Sequence, residues 1–203
     1  MSAVAPALGV LAGLVGVASM LPYLRDTLRH VTRPHRGTWL IWGLLGVVVC
    51  ASQRADGAFW SLLMTEAQIA VNLLVIVLAV RLGTGGAHAA RAEAVLVAAA
   101  GVGVAGWFLV DEPLIAIGCV IVADLIAAGM MLPKTWRSPD SETLSTFALG
   151  SLAGALALGS VGVLEPSLLL YPLYYCLVNG ALALFIRHRR TMSAGTGQVA
   201  IAR

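Results

Sequence analysis

Apolar residues in this sequence fall into seven long blocks, at approximately 4–24, 37–52, 58–80, 92–110, 114–132, 143–164 and 166–186. Each is close to the roughly 20 residues that a helix needs to cross the hydrocarbon core of a bilayer. Inside a bilayer every backbone N–H and C=O must be paired within the protein, which leaves helices and closed barrels as the spanning structures. A barrel would show short segments of alternating polarity, and the sequence has none. Hydrophobic residues make up 59% and charged residues 11%, against about 45–50% and about 25% in a soluble domain. So few charges cannot coat the outside of a water-soluble core. The blocks predict an all-α membrane protein with seven transmembrane helices and a lipid bilayer as its solvent.

The breaks between blocks hold the charges. Arg25, Arg29, Arg33, Arg36, Arg81, Arg91, Lys134, Arg137, Arg187, Arg189, Arg190 and Arg203 fall on one side of a seven-span topology, and Arg54 alone falls on the other. A split of 12 to 1 predicts an outside N-terminus and a cytoplasmic C-terminus, and it favours seven spans over six or eight. The net charge of +3 therefore reflects membrane orientation, and no nucleic-acid partner is implied. Abundant Ala, Val, Gly and Arg with a single lysine point to a GC-rich bacterial genome and a plasma membrane. The first block lacks a basic n-region and a cleavage site, so it reads as a retained helix. The small polar stretch 191–203 reads as a disordered cytoplasmic tail. Cys50, Cys119 and Cys176 sit singly in different blocks, without the spacing of a zinc site or a disulfide framework.

An internal repeat is present. The first block ends Met20-Leu21-Pro22 and the fifth ends Met131-Leu132-Pro133. Each is followed by a basic loop with a second proline, Pro34 or Pro139. Four residues on lies a threonine, Thr38 or Thr143, and eight on an aromatic, Trp42 or Phe147. Asn72 follows Pro34 by 38 residues and Asn179 follows Pro139 by 40. The expected organisation is a first three-helix repeat (1–82), a linker helix (83–112), a second three-helix repeat (113–190) and the tail (191–203). An odd linker gives the halves the same orientation, as in transporters built from parallel repeats.

The stretches Leu21-Pro22-Tyr23-Leu24-Arg25-Asp26 and Leu132-Pro133-Lys134-Thr135-Trp136-Arg137-Ser138-Pro139 resemble the two loop motifs of the SWEET/PQ-loop superfamily. Tyr23 and Lys134 stand where the motif glutamine would be. The resemblance implies a 3+1+3 parallel-repeat SWEET-like bundle, a small-solute transport activity and a pair of substrate-binding asparagines.

Several residues are candidates for that chemistry. Asn72 and Asn179 are amides at matching places in the repeat, expected across one central cavity as substrate ligands or, alternatively, as interhelical glue. Asp124 lies nine residues before Pro133, near mid-membrane, where an ionisable group is costly and usually functional. It is the candidate proton-coupling carboxylate, the alternative being a structural aspartate held by a neighbouring hydroxyl. Its counterpart in the first helix is Gly13. Tyr174 and Tyr175 precede Asn179 by about one turn, and Tyr175 is taken as a cavity residue. Trp39 and Trp42 form a W-x-x-W that is either an aromatic clamp, with Trp42 in the binding set, or an interfacial belt. Pro22 and Pro133 end or kink their helices and are candidate hinges, and Pro172 bends the seventh helix. Glu66, nearer an interface, is expected to pair with Arg54.

Enzymatic readings find no support. The only lysine, Lys134, lies in a loop, which excludes a retinal Schiff base in the last helix, and no HExxH, GxGD, P-loop or GxSxG pattern occurs. No cofactor or metal is implied. The expected function is alternating-access transport of a sugar or another small polar metabolite, by uniport or with a proton. The alternative is a seven-helix receptor or trafficking protein that binds a ligand without moving it. One chain with both halves can build one cavity, and a homo-oligomer is compatible with that.

Overall fold

In the computed structural model, residues 4–55, 62–82 and 113–201 are described, with isolated positions between 94 and 102. Six α-helices account for nearly all of them: α1 (Val4–Leu28), α2 (Arg36–Ala55), α3 (Leu62–Leu82), α4 (Pro113–Arg137), α5 (Leu144–Ser160) and α6 (Pro166–Ile201), with a 3₁₀ turn at Pro139–Ser141. They cover six of the seven expected blocks. The linker helix expected at 92–110 lies outside the described residues. Among the described residues there is no strand. α1, α3, α4 and α6 are long and apolar enough to cross a membrane, while α2 and α5 contribute shorter apolar stretches. Within the spanning windows only 28–33% of residues are buried. Large side chains such as Leu14, Leu21, Leu73, Val77 and Leu184 stand exposed on the outer face. A bundle apolar inside and out fits a protein embedded in lipid.

The helices form a ring. Going round it, α1 packs on α3, α3 on α2, α2 on α4, α4 on α6, α6 on α5, and α5 back on α1. Small residues let the backbones approach, the usual substitute in lipid for a hydrophobic driving force. Gly9, Ala12, Gly13, Gly16 and Ser19 make one buried stripe on α1, and Gly150, Ala153, Gly154 and Ala157 another on α5. A Cβ on Gly154 would stand 2.7 Å from the Cys176 backbone nitrogen, so α5 and α6 touch main chain to main chain there. Beside it the Ser151 hydroxyl donates to the Cys176 carbonyl at 2.8 Å. Larger residues fill the wider seams: Ile41, Leu45 and Val49 of α2 meet Val120, Ala123 and Ala127 of α4, and Ala128 and Met131 of α4 meet Phe147, Leu182 and Ile186.

Pro22 and Pro133 lie inside α1 and α4, which continue to Leu28 and Arg137. Neither proline ends its helix. Each removes one N–H, but the turn beyond is held from elsewhere. Tyr23 accepts a hydrogen bond from Trp39 Nε1 at 2.9 Å, and Thr135 donates to the Met131 carbonyl at 3.0 Å. Pro172 lies within α6, as expected. That helix also runs past Arg190 to Ile201, through most of the stretch whose composition suggests a disordered tail. Arg189 and Arg190 anchor the start of this extension. Arg189 stacks 3.8 Å over the Trp136 ring and donates to the Trp136 carbonyl, and Arg190 donates to the Glu142 carbonyl at 2.7 Å.

Candidate functional site

All six helices contribute to one cavity of about 50 Å³ on the axis of the ring. That is room for water and far below the ~300–1,000 Å³ of a ligand-filled pocket, so the ring is closed tightly around the site. Asn72, Asn179, Tyr175, Trp42 and Asp124, all singled out from sequence, line it together.

Asn72 is 3% exposed on α3. Its Oδ1 accepts a 2.8 Å hydrogen bond from Gln68 Nε2, one turn back, and Gln68 Oε1 accepts one of 2.8 Å from the Tyr175 hydroxyl of α6. The relay Tyr175–Gln68–Asn72 thus ties α6 to α3 across the cavity, and it orients Gln68 and Asn72 without a charge. Asn179 is held differently. Its Nδ2 donates to the Tyr175 carbonyl at 2.9 Å, and its Oδ1 faces the bare backbone of Gly150, where a Cβ would come within 2.8 Å. Both amides reach the same cavity from opposite sides, but among the described residues no hydrogen bond joins them. Gln68 occupies the place before Asn72 that Tyr175 occupies before Asn179, four residues in each case. That spacing was the available signal for Gln68, which sequence reasoning missed as a site residue.

Asp124 extends from α4, and its carboxylate accepts a hydrogen bond from the Tyr174 hydroxyl. The neighbouring hydroxyl is therefore a phenol on α6. Among the described residues no Lys, Arg or His pairs with Asp124, and none lines the cavity. Tyr174 turns to Asp124 while Tyr175 turns to Gln68, which divides the two neighbouring tyrosines between two jobs.

The walls are aromatic. Trp39 and Trp42 meet edge to face, with centroids 5.1 Å apart, and Tyr171 lies 6.0 Å from Tyr175. Trp39 is 2% exposed and bonded to Tyr23, and Trp42 faces the cavity, so the pair points inward and is no interfacial belt. Phe147, at the repeat position matching Trp42, lines the cavity opposite it. Two buried polar atoms of the lining have no partner: Trp42 Nε1 and Thr146 Oγ1.

At the basic end of the bundle a second polar cluster closes the ring. Lys134 Nζ is 2.5 Å from Glu142, which is 1% exposed, and it also donates to the Arg33 carbonyl in the loop between α1 and α2. Thr32 and Thr143 hydroxyls meet at 2.8 Å, and Thr143 donates to Asp26 at 3.1 Å. Burial pushes the Glu142 carboxyl above its ordinary pKa, and the Lys134 charge pulls the other way. At the far end, Arg54 and Glu66 form the expected ion pair at 3.1 Å, well exposed. No family model, no curated protein and no solved structure matches this chain.

Proposed function

We propose that the chain is a small-solute carrier of the SWEET/PQ-loop kind: seven transmembrane helices, two parallel three-helix halves around a linker helix, and a central site served by alternating access. The observation that carries the reading is the cavity, to which both halves send repeat-related side chains, Trp42 with Phe147 and Asn72 with Asn179. The packing order supports it as well. Each half reads first, third, second around the ring (α1, α3, α2, then α4, α6, α5), which is what a two-fold axis along the membrane normal produces. Gathering Arg33, Lys134 and Arg190 at one end favours a cytoplasmic position for that end, with the N-terminus outside, in a plasma membrane. In this reading Asn72, Asn179, Tyr175 and Trp42 contact the solute, which is a sugar or another small polar metabolite. Asp124 carries a proton, and Pro22 and Pro133 are the flexible points where α1 and α4 bend at the cytoplasmic gate.

Solute uptake into proteoliposomes, with and without a pH gradient, tests this. Flux of a solute that stabilises the purified protein is expected, and Asp124→Asn is expected to abolish pH-driven accumulation. A solute that stabilises the protein and is never moved would instead make the chain a receptor or trafficking protein.

A further inference from the structure

We infer that the central site takes a small monovalent organic cation with an apolar or flat body, and that this cation and a proton are alternative occupants of Asp124. The inference rests on the carrier reading for its transport part and on the cavity alone for its binding part.

An ionised carboxylate removed from water costs several kcal/mol unless a partner compensates it. Among the described residues Asp124 has one hydrogen bond, from Tyr174, and no Lys, Arg or His partner. Of the groups facing it, Tyr171, Tyr174 and Tyr175 of α6 are the ionisable ones, and they supply hydroxyls. The other helices add to the lining only apolar, amide, hydroxyl and indole groups. Among the described residues the cavity therefore holds one acid and no base. An anionic ligand would meet an uncompensated carboxylate, and a neutral one would fit only beside a protonated Asp124. A cation supplies the missing charge.

The walls fit the rest of such a ligand. Indole and phenol faces attract a desolvated cation by roughly 0.5–2 kcal/mol per ring, and rings of Trp39, Trp42, Tyr171 and Tyr175 surround the site. Thr146 Oγ1 is buried in a residue 2% exposed and has no partner, and Trp42 Nε1 is likewise unmatched. A ligand with a hydroxyl or carbonyl beside its cationic group would satisfy both.

One carboxylate that must be neutralised to sit in a dry closed site can be neutralised once. It crosses the closed state with a proton or with the organic cation, so the two exchange one for one and the step moves no net charge. Acid on one side of the membrane then draws the cation towards that side.

The test uses the full chain in detergent with three probes that share a ring: benzylammonium, benzyl alcohol and benzoate. Benzylammonium at ten times its Kd is expected to raise the unfolding temperature by about 3–6 °C, with no shift from the other two. In the unmodified protein the shift is expected to shrink on acidification, as protons compete. Asp124→Asn is expected to remove it, and the pH series keeps the test decisive if that variant fails to fold. In proteoliposomes an acidic interior is expected to drive benzylammonium inward faster than in protein-free liposomes, where only the neutral amine leaks. Stabilisation and flux of benzyl alcohol without benzylammonium would overturn the cation site and leave the carrier standing. Stabilisation by benzylammonium without flux would keep the site and remove the carrier. Equal shifts from all three probes, or none from any, overturn the inference.

Discussion

Replacing Lys134 by methionine should destabilise the protein far more than its place in a loop-flanking turn suggests. Lys134 Nζ lies 2.5 Å from a Glu142 carboxylate that is 1% exposed, while the Lys134 side chain itself is 22% exposed. Stranding one member of a fully buried pair costs about 3–5 kcal/mol, and an exposed pair is worth about 0–1 kcal/mol. Partial hydration of the lysine places this one at about 2–3 kcal/mol. Nothing nearby takes over, because Glu142 Oε2 has no partner and Arg190 donates to the Glu142 backbone carbonyl, not to its carboxylate. For a chain of this size that cost lowers the unfolding temperature by roughly 5–10 °C. The assay is a double-mutant cycle read by thermal unfolding in detergent at neutral pH. Lys134→Met should fall by that amount, Glu142→Gln alone should stay near the parent, and the double variant should recover at least about 1 kcal/mol of the loss. A double variant no more stable than Lys134→Met, within about 0.5 kcal/mol, would refute the claim that a stranded carboxylate is the cost.

Three further predictions follow from single contacts. Gly154→Ala puts a methyl group against the Cys176 backbone, 2.7 Å from its nitrogen, whereas Gly118→Ala meets nothing within 4 Å. The first should lose stability by about 1–3 kcal/mol and the second should gain up to about 1 kcal/mol from helix propensity, both measurable as shifts in unfolding temperature. Tyr175→Phe leaves Gln68 Oε1 without its donor and should cost about 1–3 kcal/mol, read as a lower unfolding temperature. The pH dependence of Glu142 has a definite sign. Its carboxyl titrates above the ordinary 4.5 in the folded protein, so the folded state binds the proton first and gains stability as pH falls from that raised value towards 4.5. Glu142→Gln lacks the effect, so any stability advantage it has over the parent at neutral pH should narrow on acidification, and a gap that widens would contradict the assignment.

The sequence was most legible where the physics is one-dimensional. Block lengths and charged breaks located six described helices to within a few residues at most ends, because hydrocarbon thickness and backbone pairing leave a spanning segment little freedom. The matching spacings put Asn72, Asn179, Trp42 and Tyr175 into one cavity. What stayed hidden depends on contacts between distant segments. The relay through Gln68 needs the facing of α3 and α6. The Lys134–Glu142 pair needs the 3₁₀ turn at Pro139–Ser141 to fold the chain back. Local rules left more open. Proline rules allowed α1 and α4 either to end or to kink at Pro22 and Pro133, and both helices continue past them. Composition suggested that the chain loses order after Arg190, yet α6 continues, braced at Arg189 and Arg190 by Trp136 and the turn beside Glu142.

In the proposed two-half architecture, the two motif prolines carry unequal chemistry. The residue after each proline faces the second helix of its own half. In the first half it is Tyr23, 1% exposed, whose hydroxyl accepts from Trp39 of α2. In the second it is Lys134, which reaches Glu142 just ahead of α5 and continues to the Arg33 carbonyl of the other half. The first contact is neutral and stays within one half. The second is ionic and bridges the two, so it must break if the halves separate at that end. Asp124 and its counterpart Gly13 repeat the pattern on the cavity side: the first half offers bare backbone where the second offers a charge. The carboxylates Glu142 at the basic end and Asp124 in the cavity belong to α4 and the segment that follows it. On the proposed carrier reading, an alternating cycle driven by a proton or a cation should therefore begin in α4 and its following turn, with α1 moving in response.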